Sequence, residues 1–163
     1  MYSAYSPEGQ AQQDFSKLRN RATRRHIINA LLGKSTHLIT LDEILAEHEH
    51  VIQHDAGIKV INLNEIVGTV GRTHEFDDEF YPKQDSSYYR WCDVAAAIYD
   101  GKAMPVLELY HVDNGYYIID GNHRVSVMKA LGQQFVEAHV IKLEDSVPPR
   151  CQTQEIPAPR FDR

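Results

Sequence analysis

The sequence predicts an α/β (α+β) domain, a small mixed sheet with packed helices, preceded by an N-terminal helical extension. Three observations lead there. Two β-branched and aromatic runs, VLELYHV and YYIID, flank Asp113-Asn114-Gly115, the pattern of a hairpin. The second run passes directly into GNHR and the helical segment RVSVMKALG, which Gly132 ends. Trp91, Val94, Ala95 and Ile98 recur at i, i+3, i+4 and i+7, the stripe of an amphipathic helix closed by Gly101.

The remaining elements follow in chain order. Residues from about Glu8 to Leu32 contain no Pro and no Gly after Gly9, are rich in Gln, Arg, Ala and Leu, and stop at Gly33, so they predict a helix. Its apolar positions Phe15, Leu18, Ala22 and Leu31 keep only approximate helical spacing, which predicts a weakly packed face. Ser35 or Thr40 then caps a short helix over LDEILAEHEH. Lys59–Leu63 is a short β-branched strand, followed by GTVGR and an acidic loop, HEFDDEFYPKQDSS. After the 87–99 helix and the hairpin, Phe135–Leu143 returns as a strand. Pro148, Pro149, Pro157 and Pro159 follow without periodicity, which predicts a disordered tail. The expected organisation is therefore a helical extension over 1–56, a domain over 57–143 and a tail over 144–163.

Composition narrows the function classes. The chain has 163 residues, 42% hydrophobic and 25% charged, the proportions of an ordinary globular protein. No segment approaches the roughly 20 apolar residues a membrane span requires, and MYSAYSPEGQ has no basic segment followed by an apolar stretch. Cys92 and Cys151 form neither a disulfide framework nor a zinc ligand set. A reduced, cytoplasmic setting is the expectation. The net charge of −6 is uneven: residues 14–34 carry six basic residues and one acid, while 35–163 hold 11 basic and 21 acidic. A grip on DNA phosphates is not expected of the body, because like charges repel, and only the 14–34 segment carries the charge for DNA or an acidic protein partner. Arg19, Arg21, Arg24 and Arg25 are its candidates, with a solvated helix face as the other reading.

The candidate site is Asp120-Gly121-Asn122-His123-Arg124. A strand delivers the chain to a tight turn, Gly121 permits backbone angles closed to other residues, and a helix begins at once. Free N–H groups and the positive end of the helix dipole at such a start suit a phosphate. Arg124 adds a fork of donors matched to phosphate oxygens, and His123 can donate a hydrogen bond or carry a proton. Asp120 is placed to hold a metal-bound water or to orient His123 or Arg124. The competing reading is structural: Asp120 caps the helix and pairs with Arg124.

The order LNEIVGTVGR, helix, PVLELYHV, YYIIDGNHRVSVMKALG, FVEAHVI is similar to the ParB N-terminal/sulfiredoxin superfamily, over about Lys59 to Ile141. The resemblance implies a nucleotide, CTP or ATP/ADP with Mg2+, whose phosphates are held by Gly121, Asn122, His123 and Arg124. Arg72 in GTVGR would match the arginine of an upstream box. Sulfiredoxins carry a cysteine inside a G-G-C-H-R loop; Asn122 stands there, so sulfinic-acid repair is not expected. ParB proteins read G-E-R-R and continue into a DNA-binding domain. The loop of the free-serine kinase of archaea, D-G-H-H-R, is the nearest to D-G-N-H-R. Its upstream glutamate base has no counterpart near Val70, which leaves Glu75 or Asp77 to take that role. By resemblance, then, Asp120 and His123 are the candidate catalytic groups, and Asp120 and Asp77 the candidate magnesium ligands. The expected function is nucleotide binding with Mg-dependent hydrolysis or phosphoryl transfer. The alternative is a non-catalytic, nucleotide-gated module whose helical arm engages DNA or protein. His48, His50 and His54 have metal-compatible spacing, but a solvated helix end is the favoured reading. Trp91, Tyr99 and Tyr110 are expected in the core rather than as base-stacking platforms.

Overall fold

A six-stranded mixed sheet forms the centre of the protein, described over residues 6–48 and 50–146 in a computed structural model. In chain order the elements are α1 (Pro7–Leu31), β1 (Ile39–Thr40), α2 (Leu41–Leu45), β2 (Val51–Asn62), β3 (Ile66–Thr69), α3 (Tyr88–Tyr99), β4 (Leu107–Val112), β5 (Gly115–Asp120), α4 (Asn122–Ala130) and β6 (Phe135–Asp145). The strand order is β1-β3-β5-β4-β6-β2. β1, β3 and β5 run parallel to one another, β4 is antiparallel to β5 and parallel to β6, and β2 closes the far edge antiparallel to β6. The α+β architecture is the one the hairpin and the strand–turn–helix junction imply.

The hairpin turns in two residues. Val112 pairs with Gly115, and Asp113 takes φ 50, the left-handed conformation that a two-residue hairpin turn requires. The stripe of α3 is confirmed: Trp91 and Ala95 are fully buried, and the Trp91 Nε1 donates to the Ser126 hydroxyl at 2.9 Å, tying α3 to α4. Tyr99 donates to Asp14 at 2.5 Å, so the Trp91 and Tyr99 aromatics serve the fold, and Tyr110 is half-buried against a small second cluster.

Four expectations are corrected. The first is that α1 packs weakly. Ser6 caps it by accepting the Gly9 N–H, Pro7 occupies its first turn, and Ala11, Phe15, Leu18 and Ala22 are buried in a row. Phe15 stands edge-on to Tyr88 and Trp91, with ring centroids at 5.1 and 5.6 Å. Ala11 completes the stripe that Leu31, itself exposed, does not belong to. The second concerns residues 46–58. α2, capped by the Thr40 hydroxyl, ends at Leu45, and β2 begins at Val51 rather than Lys59. The 56/57 boundary therefore falls inside a strand. As an edge strand, β2 leaves most of its residues in water, and a register shift at Asp55/Ile58 around Gly57 (φ 70) breaks the alternation.

Third, the acidic stretch is no open loop, since Phe76 and Phe80 are fully buried in the main core. Asp77 holds the turn between them by accepting the N–H groups of Glu79 (3.0 Å) and Tyr81 (2.8 Å). Fourth, Glu144 and Asp145, assigned to the tail, are the end of β6; residues 147–163 lie outside the described residues. Among the described residues no helix is long and apolar enough to cross a membrane.

Candidate functional site

Parallel pairing brings together two segments some 50 residues apart. Thr69 of β3 lies beside Ile118 of β5, so the carboxyl ends of both strands open on the same edge of the sheet. Ligands of α/β folds collect at such edges. Beyond β3 the chain turns through Gly71, whose carbonyl accepts the Thr69 hydroxyl at 2.6 Å, and reaches Arg72 at φ 65. Beyond β5 it passes Asp120 and Gly121 into α4.

Gly121 is required twice. Its φ is 120, and a Cβ placed there would sit 2.4 Å from the Leu107 side chain and 3.3 Å from the Arg124 guanidinium. No side chain caps α4, and its first backbone bond runs from the Val125 N–H to the Gly121 carbonyl. The N–H groups of Asn122, His123 and Arg124 thus precede the first helical donor, the Val125 N–H, and have no acceptor within the helix. These three residues line a cavity of about 330 Å³ to which Arg72 and Arg90 also contribute, with Asp120 as its one carboxylate. Dipole and guanidiniums give the cavity a positive character.

The three arginines differ in freedom. Arg124, with its side chain 11% exposed, donates to the Pro105 and Val106 carbonyls and to Asp120 at 2.5 Å. The structural reading of the turn is therefore present in part: Asp120 pairs with Arg124, although it caps nothing. Arg72 is half exposed and donates one bond, to Glu75 at 2.7 Å. Arg90 is exposed and makes no hydrogen bond or ion pair among the described residues. Arg90 escapes sequence reasoning because it reads as an ordinary charge on the polar face of α3. The available signal is that Arg90 and Val94 stand one turn apart on that helix, and both line the cavity.

His123 is 7% exposed, edge-on to Phe76, with Nε2 3.3 Å from Glu75. Burial lowers its pKa to about 4, so the imidazole is neutral at pH 7. Its Nδ1 and the Asn122 Oδ1 are sealed from solvent and have no partner among the described residues. Glu75, buried, is held by Arg72 on one oxygen and by the Ser87 hydroxyl at 3.0 Å on the other. Burial pushes its carboxyl upward, but these bonds outweigh it and leave the pKa below the usual range. Glu75, rather than Asp77, is thus the acidic-loop carboxylate that reaches the DGNHR loop.

Asp77 lies elsewhere. It lines a separate cavity of about 500 Å³ with Arg19, His26 and His74 from α1 and the 72–84 segment. Its burial raises its pKa, and its nearest cation is Arg25 at 4.0 Å. Asp77 and Asp120 do not converge, and Asp120 is already paired with Arg124. Among the described residues no three His, Cys, Asp or Glu side chains form a metal-binding group. Of the two carboxylates expected to hold magnesium, only Asp120 lines the cavity, and Arg124 engages it. His48 and His54 pair separately with Asp145 (2.7 Å) and Glu144 (3.7 Å).

Arg19, Arg21 and Arg25 of α1 turn toward the acidic segment. Arg19 reaches Asp85 at 3.3 Å, and Arg25 reaches Asp78 at 3.1 Å and Glu79 at 3.5 Å. Arg21 and Arg25 also lie over the Tyr81 ring at 5.1 and 5.6 Å. Arg24 and Lys34 make no ion pair among the described residues. No family model, curated protein or solved structure matches this chain.

Proposed function

We propose that this chain is a ParB/sulfiredoxin-like domain that binds a nucleotide through its phosphates in the Arg72–Arg90–Arg124 cavity. One observation carries the reading: three guanidiniums from three separate elements meet an uncapped helix start in a single cavity. Arg72 and Arg90 are the phosphate contacts, and the first N–H groups of α4 complete the cradle. Arg124 acts as a strut that fixes the 104–106 segment and contributes its charge. The guanidiniums neutralise the phosphates.

Between turnover and a binding switch, two observations favour the switch. The Nδ1 of His123 is sealed from solvent, its Nε2 faces Glu75, and Asp120 is engaged by Arg124, so both groups already serve the protein itself. The segment that starts at Arg72 is clasped further on by Arg25 and Arg19, so occupancy of the cavity is coupled to α1. A protein partner responding to α1 fits this arrangement better than DNA, because two of the arginines proposed for DNA are paired internally.

The test is a thermal-shift series with CTP, ATP, ADP, GTP and inorganic tripolyphosphate, each with and without magnesium. A ligand at 100 times its Kd stabilises by about 2.7 kcal/mol, which for a chain of this size raises the midpoint by about 5–10 °C. Arg90→Ala should abolish the rise and leave the unliganded midpoint unchanged. Phosphate release under saturating nucleotide separates the enzyme from the switch. If none of these anions moves the midpoint, the reading is wrong.

A further inference from the structure

The segment 104–106, which Arg124 holds through the Pro105 and Val106 carbonyls, is a wall shared by two hollows. Met104 and Pro105 line the phosphate cavity on one side and a groove of about 400 Å³ on the other. The sheet register explains the adjacency. Asp120 at the end of β5 stands beside Glu108 of β4, Leu107 stands beside Ala138 of β6, and Glu137 stands beside Val60 of β2. All four strand ends share one edge, and the step from β5 to β6 crosses two strand spacings, about 10 Å. That step is comparable to the reach from the phosphates of a nucleotide to its base.

The groove itself is apolar with a polar fringe. Val60 and Phe135 are 68% and 54% exposed, and Lys102, Gln133 and Glu137 also line it, with Lys102 engaged by Asp100 at 3.2 Å. Gln133 donates its Nε2 to the Phe135 carbonyl at 2.7 Å, which leaves its Oε1 as an acceptor. Glu137 has no ion-pair partner among the described residues. A hydrocarbon chain would leave both acceptors unanswered, whereas a heteroaromatic base offers a π-face to Phe135 and N–H groups to the two oxygens.

Resting on the phosphate-binding reading above, we infer that this groove seats the nucleoside of the same ligand: its base lies on Phe135, and Gln133 and Glu137 accept from its edge. An edge met by two acceptors favours the amino-bearing bases, adenine, cytosine and guanine, over uracil.

Calorimetric titration of the full chain with tripolyphosphate, ATP, CTP, GTP and UTP tests this. Phe135→Ala, an exposed substitution, should weaken the best-bound nucleotide by about tenfold or more, the loss expected of one stacked base. It should leave tripolyphosphate within twofold. Val60→Asp, on the neighbouring strand of the same groove, gives the same pattern and decides the matter should Phe135→Ala fold poorly. Glu137→Ala should narrow the preference over UTP. Equal losses for nucleotide and tripolyphosphate, or no loss for either, would overturn the groove while the phosphate cavity stands. Failure of tripolyphosphate and every nucleotide to bind the unaltered chain would remove the phosphate reading, and the groove with it.

Discussion

Arg124→Ala separates what the guanidinium does for the fold from what it does for a ligand. The side chain is nearly buried and donates to two carbonyls and one carboxylate. A hydrogen bond from a charged donor contributes about 1.5–3 kcal/mol. Pro105 and Val106 are exposed residues whose carbonyls can be rehydrated, so the lower value applies to each. Asp120 is 74% exposed, and a pair that open adds at most about 1 kcal/mol. The truncation therefore costs about 3–4 kcal/mol and lowers the melting midpoint by about 6–16 °C for a domain of this length. Asp120→Asn, which removes only the exposed pair, should move it by no more than about 4 °C. Circular dichroism melts of the three proteins without ligand are sufficient. A midpoint for Arg124→Ala within 2 °C of the unaltered protein would refute the strut, and an equal cost for Asp120→Asn would place the energy in the ion pair instead.

Three further outcomes follow from the same geometry. Gly121→Ala combines a disallowed φ with a 2.4 Å approach to the buried Leu107, so urea unfolding should show a loss of about 3 kcal/mol. His123 has a folded pKa of about 4 against an unfolded value near 6.5, so the unfolded chain takes up the extra proton between those limits. Its contribution is complete above pH 6.5 and is lost as pH falls towards 4, about 3 kcal/mol in all, and His123→Gln should flatten the stability curve in that window. Arg25→Ala removes the clasp on Asp78 and Glu79; it should cost about 1 kcal/mol and speed amide exchange over residues 77–83.

The parts of this fold that were legible are those where local chemistry and final packing agree. The Asp113-Asn114-Gly115 turn requires a positive φ, and the chain supplies residues that tolerate it. Trp91, Val94, Ala95 and Ile98 show a stripe because α3 has one wet side. β2 was illegible for the opposite reason. Its segment VIQHDAGI lies on an edge with a bulge, buries little, and so carries no alternation to read. In α1 the stripe was present, but it runs through Ala11, whose small side chain gives little hydrophobic signal beside the exposed Ile27 and Leu31. The site divides in the same way. The strand–turn–helix at Gly121 is a local pattern, and Arg72 was found beside it through resemblance. Arg90 and the Glu75 contact depend on how α3 and the 72–87 segment close over the sheet edge, which residue order alone does not express.

The most direct measurement is a map of backbone amide shifts in the labelled full chain as inorganic tripolyphosphate is added. The account predicts the largest changes at Gly121, Asn122, His123 and Arg124, with accompanying shifts at Arg72 and Arg90 and none along β2 beyond Ile58 towards Val51. Shifts centred on Arg19, His26 and Lys83 around the α1 cavity, or no saturable shift anywhere, would contradict it.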